Sequence, residues 1–161
     1  HSALYRFFPL VADGGTPELP ISEVLSLERD VSDAPAASAL ALAPHETIIR
    51  MRRRRYLAGE CCLLETVYLP GKFFPNFPEA RNIPHTLYHF YQTHYQLTVD
   101  HTIDRIKAVS AAGLDVEYMG MESGEPLLQF TRLTLALGGH RIEFRVTRCR
   151  SDHYHYLVDM A

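Results

Sequence analysis

The sequence predicts an α+β fold: one antiparallel β-sheet, duplicated in plan, with helices packed on one side of it. Three observations predict it. Residues 37–53 lie over residues 116–132 at an offset of 119 − 40 = 79, which sets Leu40 on Met119, Leu42 on Met121, Glu46 on Glu125, Met51 on Phe130 and Arg53 on Arg132. Both segments run into stretches where apolar and polar residues alternate, the period of a strand. Glycines then fall where those strands must reverse, at Gly59 and at the pair Gly138-Gly139, because glycine takes a positive φ at little cost.

Each half reads as strand, helix and hairpin. An extended start over residues 4–11 opens the chain, and a strand follows over 24–29. Ser32 or Asp33 caps a helix over about 35–42, with Pro35 in its first turn. The first hairpin joins 47–57 to 61–69, and a proline-punctuated loop over 70–84 leads to a linking helix over about 86–95. In the second half the strand is 98–107, the helix 111–119 with Ser110 as its cap, and the hairpin 127–137 with 141–149. A strand over about 154–158 closes the chain. A sheet built from two related halves leaves a cleft, or paired clefts, beneath its connecting loops.

The 161 residues, 47% of them apolar and 22% charged, suit a single domain over 1–161 with its own core. Sixteen Lys and Arg against 19 Asp and Glu leave a net charge of −3, so no global basic field is present to hold nucleic acid non-specifically. Apolar runs are far shorter than the roughly 20 residues that cross a bilayer, and no signal peptide is visible. These features predict a soluble, cytoplasmic domain with no membrane partner. Three cysteines, Cys61, Cys62 and Cys149, make no disulfide framework. His85 and His89 stand at helical spacing but lack the glutamate of an HExxH motif, and His153 with His155 gives two ligands at most, so no metal and no cofactor are expected. The chain opens on His1 rather than Met, which fits either a fragment of something longer, with an N-terminal domain missing, or a processed chain.

Arg52-Arg53-Arg54-Arg55 is the loudest local feature. In a strand, Ile49, Met51, Arg53, Arg55 and Leu57 share one face, so two arginines stand in an apolar row. A buried guanidinium needs an anion from the protein or from a ligand, and its planar fork suits carboxylate or phosphate. Glu65 lies similarly among Leu63, Val67 and Leu69. A three-residue turn would set Arg53 opposite Glu65 and a two-residue turn would not, so Arg53 pairs internally or binds ligand. Thr86 and Tyr88 begin the linking helix, where a hydroxyl and free N–H groups either cap the helix or hold an anion. Glu143 shares its strand face with Arg141 and Arg145, as a solvated charge row or a ligand contact. Tyr88, Phe90, Tyr91 and Tyr95 read as core. Adjacent Cys61 and Cys62 point to opposite faces, no nucleophile motif or phosphate-binding loop is present, and nothing demands catalysis.

The order Arg53-Arg54-Arg55, Gly59, Glu65-Thr66-Val67-Tyr68-Leu69-Pro70, Thr86-Leu87-Tyr88, Gly124-Glu125-Pro126-Leu127-Leu128, Arg132, Gly139, Glu143 and Arg150-Ser151-Asp152-His153-Tyr154 resembles the UTRA effector-binding domain of HutC-type GntR transcription regulators of bacteria. The resemblance runs from about Leu4 to the end. It implies a chorismate lyase-like fold, a homodimer, and a small anionic metabolite, bearing phosphate or carboxylate, that modulates the grip of a winged helix-turn-helix on operator DNA. That reader would precede this chain, typically as part of a repressor. By position, Arg53 and Arg55 resemble the anion-binding pair, Thr86 the hydroxyl beside it and Tyr88 the aromatic two residues on. Glu65 and Glu143 resemble acidic contacts to ligand hydroxyls or amines. Ser151 and His153 depart from an Arg-Gly-Asp-Arg-Tyr motif, Cys149 replaces a frequent Tyr, and Tyr5-Arg6-Phe7-Phe8-Pro9 lacks a Ser-Phe-type pattern, so the resemblance does not imply an amino-sugar phosphate. A chorismate lyase-like enzyme is the alternative.

Overall fold

The computed structural model describes residues 8–160. In chain order the elements are β1 (Leu10–Ala12), β2 (Ile21–Val31), α1 (Ala34–Ala39), β3 (Ile48–Leu57), β4 (Glu60–Pro70), α2 (Leu87–Tyr95), β5 (Val99–Ser110), α3 (Leu114–Met119), β6 (Pro126–Ala136), β7 (Arg141–Arg150) and β8 (Tyr154–Tyr156). Six strands form one antiparallel sheet in the order β2-β3-β4-β7-β6-β5, and β1 pairs with β8 apart from it. Of the predicted opening strand, residues 4–7 lie outside the described residues. Of the remainder, Leu10 and Val11 lie in β1, which runs on to Ala12, while residues 8 and 9 are outside any strand.

The duplication sets this topology. Each half contributes an edge strand, a short helix and a hairpin, and the hairpins meet along β4 and β7. The turn over Ala58-Gly59 has two residues, both at positive φ (49° and 80°), the backbone of a type I′ turn, whose twist suits a hairpin. A two-residue turn alone would separate Arg53 from Glu65. A β-bulge at Cys62 restores the pairing: Tyr56 faces Cys61, Arg55 faces Leu63, and Arg53 therefore faces Glu65. The second hairpin has the same device. Thr134 faces Glu143, Leu135 faces Arg141, and Ile142 is the extra residue.

The second turn is one residue longer, so the offset becomes 145 − 65 = 80 beyond it and Glu65 corresponds to Arg145. Across β4 and β7, Glu65 faces Thr147, Val67 faces Arg145, and Thr66 faces Val146. The halves are thus related about a pseudo-twofold axis through the Thr66/Val146 pair, with Glu65 and Arg145 on either side of it.

Helices cover both faces rather than one. On the first face α2 and the loop before it bury Phe74, Phe77, Leu87, Phe90 and Tyr91 against Ile49, Met51, Val67, Leu69 and Ile142. Farther along, β1 and β8 lay Leu10 and Tyr154 on Leu57, Leu63, Phe130 and Cys149. On the opposite face α3 places Met119 against Leu64 and Leu127. Alternating side chains leave apolar rows on both sides of the central strands, and each needs cover.

Helix starts show how local chemistry sets boundaries. Asp33, one of the two predicted caps, accepts a bond from Ala36 N–H at 3.0 Å, with proline in the first turn. Ser110 is no cap. It ends β5, and α3 begins only after Gly113, at φ 52°. Ala111 is held instead by its N–H to Glu125 O, 2.7 Å, which delays the helix. Because Ala58 takes a positive φ at the tip of the first hairpin, Ala58→Gly is expected to raise stability by about 0.5–1 kcal/mol and Gly59→Ala to lower it by about 1–2 kcal/mol. Urea midpoints that shift in these opposite directions at constant slope will check this.

Candidate functional site

Between α2 and the β1/β8 pair, the first face of the sheet is covered by charged rather than apolar side chains. Arg53, Arg55, Glu65, Glu143 and Arg145 are all buried there. Strand alternation places Arg53 and Arg55 on β3 and Glu65 on β4. The bulge at Ile142 turns both Ile142 and Glu143 inward while Arg141 stays exposed. The expected row of Arg141, Glu143 and Arg145 is therefore broken, and Glu143 is neither solvated nor beside Arg141.

Glu65 is the hub. Its Oε1 accepts from Arg53 Nε at 2.6 Å and its Oε2 from Arg145 Nη1 at 3.1 Å. Burial works to raise its pKa, but Arg145, Arg53 and Arg55 outweigh it and hold the carboxyl down at about 2. Arg145 also embraces Glu143 through Nε (2.7 Å) and Nη2 (2.8 Å), and Tyr91 donates its hydroxyl to the same carboxylate at 2.5 Å. Burial, then the Glu143 charge, push the Tyr91 phenol well up. Internal pairing of Arg53 with Glu65 is thus what the fold adopts.

Arg55 is different. Its Nη1 lies 3.7 Å from Glu65, beyond hydrogen-bond reach, while Nε donates to Ser22 Oγ (2.8 Å) and Nη2 to the His85 carbonyl (3.0 Å). Burial and the neighbouring Arg53 charge depress its pKa from 12.5 to about 9. Arg53 Nη1 donates to the same His85 carbonyl at 3.1 Å. One peptide oxygen therefore receives both guanidiniums.

The cluster opens into a cleft of ≈ 400 Å³, counting its mouth, lined by Phe8, Leu19, Arg53, Arg55, Thr86, Leu87, Tyr88 and Arg145. Thr86 stands at the N-terminus of α2 but makes no capping bond through its side chain, so the capping alternative is not realised. Tyr88 shares its hydroxyl with Thr134 at 2.9 Å and lies under the Arg145 guanidinium, 5.4 Å from ring centroid to carbon. Of the six residues singled out in the sequence, Arg53, Arg55, Thr86 and Tyr88 line this cleft together. Glu65 and Glu143 lie behind the arginines with both oxygens of each engaged.

Sequence reasoning missed Arg145, which joins the two carboxylates, and the His85 carbonyl, a backbone group with no side-chain signal. No sequence signal announced the role of Arg145, because residues 141–146 alternate polar and apolar without interruption and hide the bulge at Ile142. His85 precedes the cap of α2, so it does not share a helix face with His89. Among the described residues no three His, Cys, Asp or Glu side chains converge on a metal site. Burial pushes the Cys62 and Cys149 thiols to about 12, which makes them poor nucleophiles.

The twin of this site is closed. Arg132, which corresponds to Arg53, is held by Asp104 through two bonds of 2.7 and 2.9 Å, with Tyr156 also donating to Asp104. Thr134 stands where Arg55 stands in the first half. Of the expected pair of clefts, the first half's is the one in which two arginines converge on the same peptide carbonyl.

A duplicated antiparallel sheet with a cationic cleft on its covered face is the architecture of a small-molecule-binding domain. The chain belongs to the UTRA domain family, whose model matches residues 18–155. Over 139 residues it is 27% identical to the HTH-type transcriptional regulator SmoD of Agrobacterium fabrum, covering 85% of this chain and 56% of that one. It is 22% identical to GmuR of Bacillus subtilis over 134 residues, 83% of this chain and 56% of that one. The chain thus spans about half the length of the curated relatives it matches. Among solved structures it resembles the ligand-binding domain of a protein assigned to the GntR family of transcriptional regulators from Bordetella bronchiseptica, with TM-score 0.87, 27% identity and coverage of 98% and 99% of the two chains. The PhnF effector domain of Mycobacterium smegmatis shares the fold at TM-score 0.80 and 18% identity, over 94% and 88% of the chains. SmoD, GmuR and the Bordetella protein are named as regulators, so the chorismate lyase alternative is not favoured.

The Glu65 carboxyl sits below its ordinary 4.5 in the fold, so its stabilisation is complete above about pH 4.5 and is lost as pH falls toward 2. Glu65→Gln is expected to cost about 3–5 kcal/mol at neutral pH by leaving three guanidiniums against one carboxylate. Urea unfolding of wild type and variant from pH 6 to pH 2 will check this, with the gap closing on the acid side.

Proposed function

We propose that this domain is a non-enzymatic sensor, in which a small anion, carboxylate or phosphate, binds Arg53 and Arg55 beside Thr86 and Tyr88. The observation that carries the reading is the convergence of both guanidiniums on one neutral carbonyl. Three cations face two carboxylates there, and a peptide oxygen is a weak substitute for an anion.

His85 links that exchange to the rest of the fold. Its ring Nδ1 accepts from Ser22 N–H at 2.9 Å while Ser22 Oγ accepts from Arg55 Nε. An anion that takes the arginine donors frees the His85 carbonyl, and with it the start of β2 and the segment running back to β1. In this reading the domain works as a homodimer in the cytoplasm of a bacterium. It forms part of a HutC-type repressor whose winged helix-turn-helix, outside this chain, grips operator DNA. No described helix is long and apolar enough to cross a membrane. To reverse a 1:99 balance between DNA-competent and DNA-released states, the effector must prefer one state by about 5.5 kcal/mol.

Mass spectrometry of small molecules copurifying with the domain tests the reading. A single anion of fixed mass is expected with wild type and none with Arg53→Ala/Arg55→Ala. Equal thermal stabilisation of wild type and double variant by that anion would overturn it. A second expectation follows from the burial of Arg55 without a close carboxylate. Arg55→Met will be at least as stable as wild type without ligand, because an apolar side chain replaces a buried cation that no carboxylate hydrogen-bonds, and it will lose stabilisation by the anion. Paired melting curves check both points.

A further inference from the structure

The floor and walls of the cleft narrow the chemistry of its occupant. Among the buried groups, Arg132 and Asp104 cancel one another in a bidentate pair. Arg53, Arg55 and Arg145 then stand against Glu65 and Glu143, a surplus of one positive charge. Arg55 carries that surplus: its nearest carboxylate oxygen is 3.7 Å away, and its well-made bonds go to a serine hydroxyl and a peptide carbonyl. One negative charge neutralises the cluster. A phosphate monoester brings nearly two at neutral pH, with a second pKa of about 6, and would leave the cluster negative beneath the covered face.

Geometry agrees with the charge count. The His85 oxygen is a single acceptor at 3.1 Å from Arg53 Nη1 and 3.0 Å from Arg55 Nη2. A carboxylate in its place offers two coplanar oxygens, one for each guanidinium, which is the pairing the arginine fork favours.

The walls point away from a polyhydroxylated body. Phe8, Leu19, Leu87 and the Tyr88 ring are apolar, and the Phe8 ring centroid lies 5.2 Å from the Arg55 guanidinium carbon. Sugar hydroxyls need acceptors as well as donors, and no carboxylate lines this cleft. Both oxygens of Glu65 and of Glu143 are bound by arginines or Tyr91, and neither residue lines the cleft. The Tyr88 hydroxyl is hydrogen-bonded to Thr134. Among the described lining residues, Thr86 is the one hydroxyl with no side-chain hydrogen bond of its own.

We infer that the effector is a singly charged carboxylate on an apolar body, an aromatic or short branched acid, bound with its carboxylate bridging Arg53 and Arg55 in place of the His85 carbonyl. This rests on the sensor reading above. Thermal shift with defined probes tests it: benzoate, 3-phenylpropionate and isovalerate against phenyl phosphate, glucose 6-phosphate and gluconate, at matched millimolar concentration and ionic strength. Wild type, Arg55→Met and Arg55→Gln are compared. At least one apolar carboxylate is expected to raise the wild-type melting temperature by about 3 °C or more, with the shift lost in both variants and the phosphates and gluconate clearly weaker. Stabilisation by a phosphate or gluconate that equals or exceeds the carboxylates, and depends on Arg55, overturns the carboxylate assignment and leaves the sensor reading standing. Absence of any carboxylate effect on wild type also overturns it. Shifts that persist in both Arg55 variants overturn the assignment and the site together.

Discussion

Glu65 holds one carboxylate between two guanidiniums, Arg53 on its own hairpin and Arg145 from the other half of the chain. Desolvating such charges costs several kcal/mol each, and attraction in a low dielectric offsets that cost only when geometry is good and the remaining donors find partners. Here the geometry comes from the sheet register. Arg53 and Glu65 are cross-strand partners, and Arg145 stands beside Glu65 across the pseudo-twofold axis. Without the carboxylate, α2 and the β1/β8 pair would close over like charges.

The duplication explains why one cleft is open. Corresponding positions on the two sides of the axis carry Glu65 and Arg145, so an axis that would otherwise juxtapose like charges holds an ion pair. Arg132, the counterpart of Arg53, is bound by Asp104 from the edge strand β5, and Thr134 replaces the second arginine. A fold with two potential sites has spent one on internal neutralisation. The other keeps a cation whose partners are a hydroxyl and a peptide oxygen.

That arrangement joins binding to movement through few parts. The His85 carbonyl and ring, Ser22 and Arg55 form a closed set of hydrogen bonds between the entrance to α2 and the first residues of β2. Any group that competes for the Arg55 donors acts on both elements. Burial without a close carboxylate also makes Arg55 costly in the unliganded state, a cost that sits at the binding site, where a ligand relieves it.

The two hairpins of an antiparallel sheet, the internal repeat and the arginines in an apolar row were legible in the sequence, because they rest on local periodicity: a strand alternates every residue whatever surrounds it; the strand order, and the pairing of β1 with β8 apart from the main sheet, were not. Arg53, Arg55, Thr86 and Tyr88 could be named for the same reason, since each lies in a strand or at a helix start that its neighbours define. Bulges at Cys62 and Ile142 were not legible, and they decided the rest. One made a two-residue turn compatible with the Arg53/Glu65 pairing; the other turned Glu143 inward and sent Arg141 to solvent. Arg145 as the bridge between halves and the His85 carbonyl as joint acceptor are products of packing between segments far apart in sequence. The sequence by itself determined which side chains of the first hairpin lie in the core row; tertiary structure decided which charges meet and which face of β7 is buried, because that depends on register and on a backbone carbonyl that no residue type reveals.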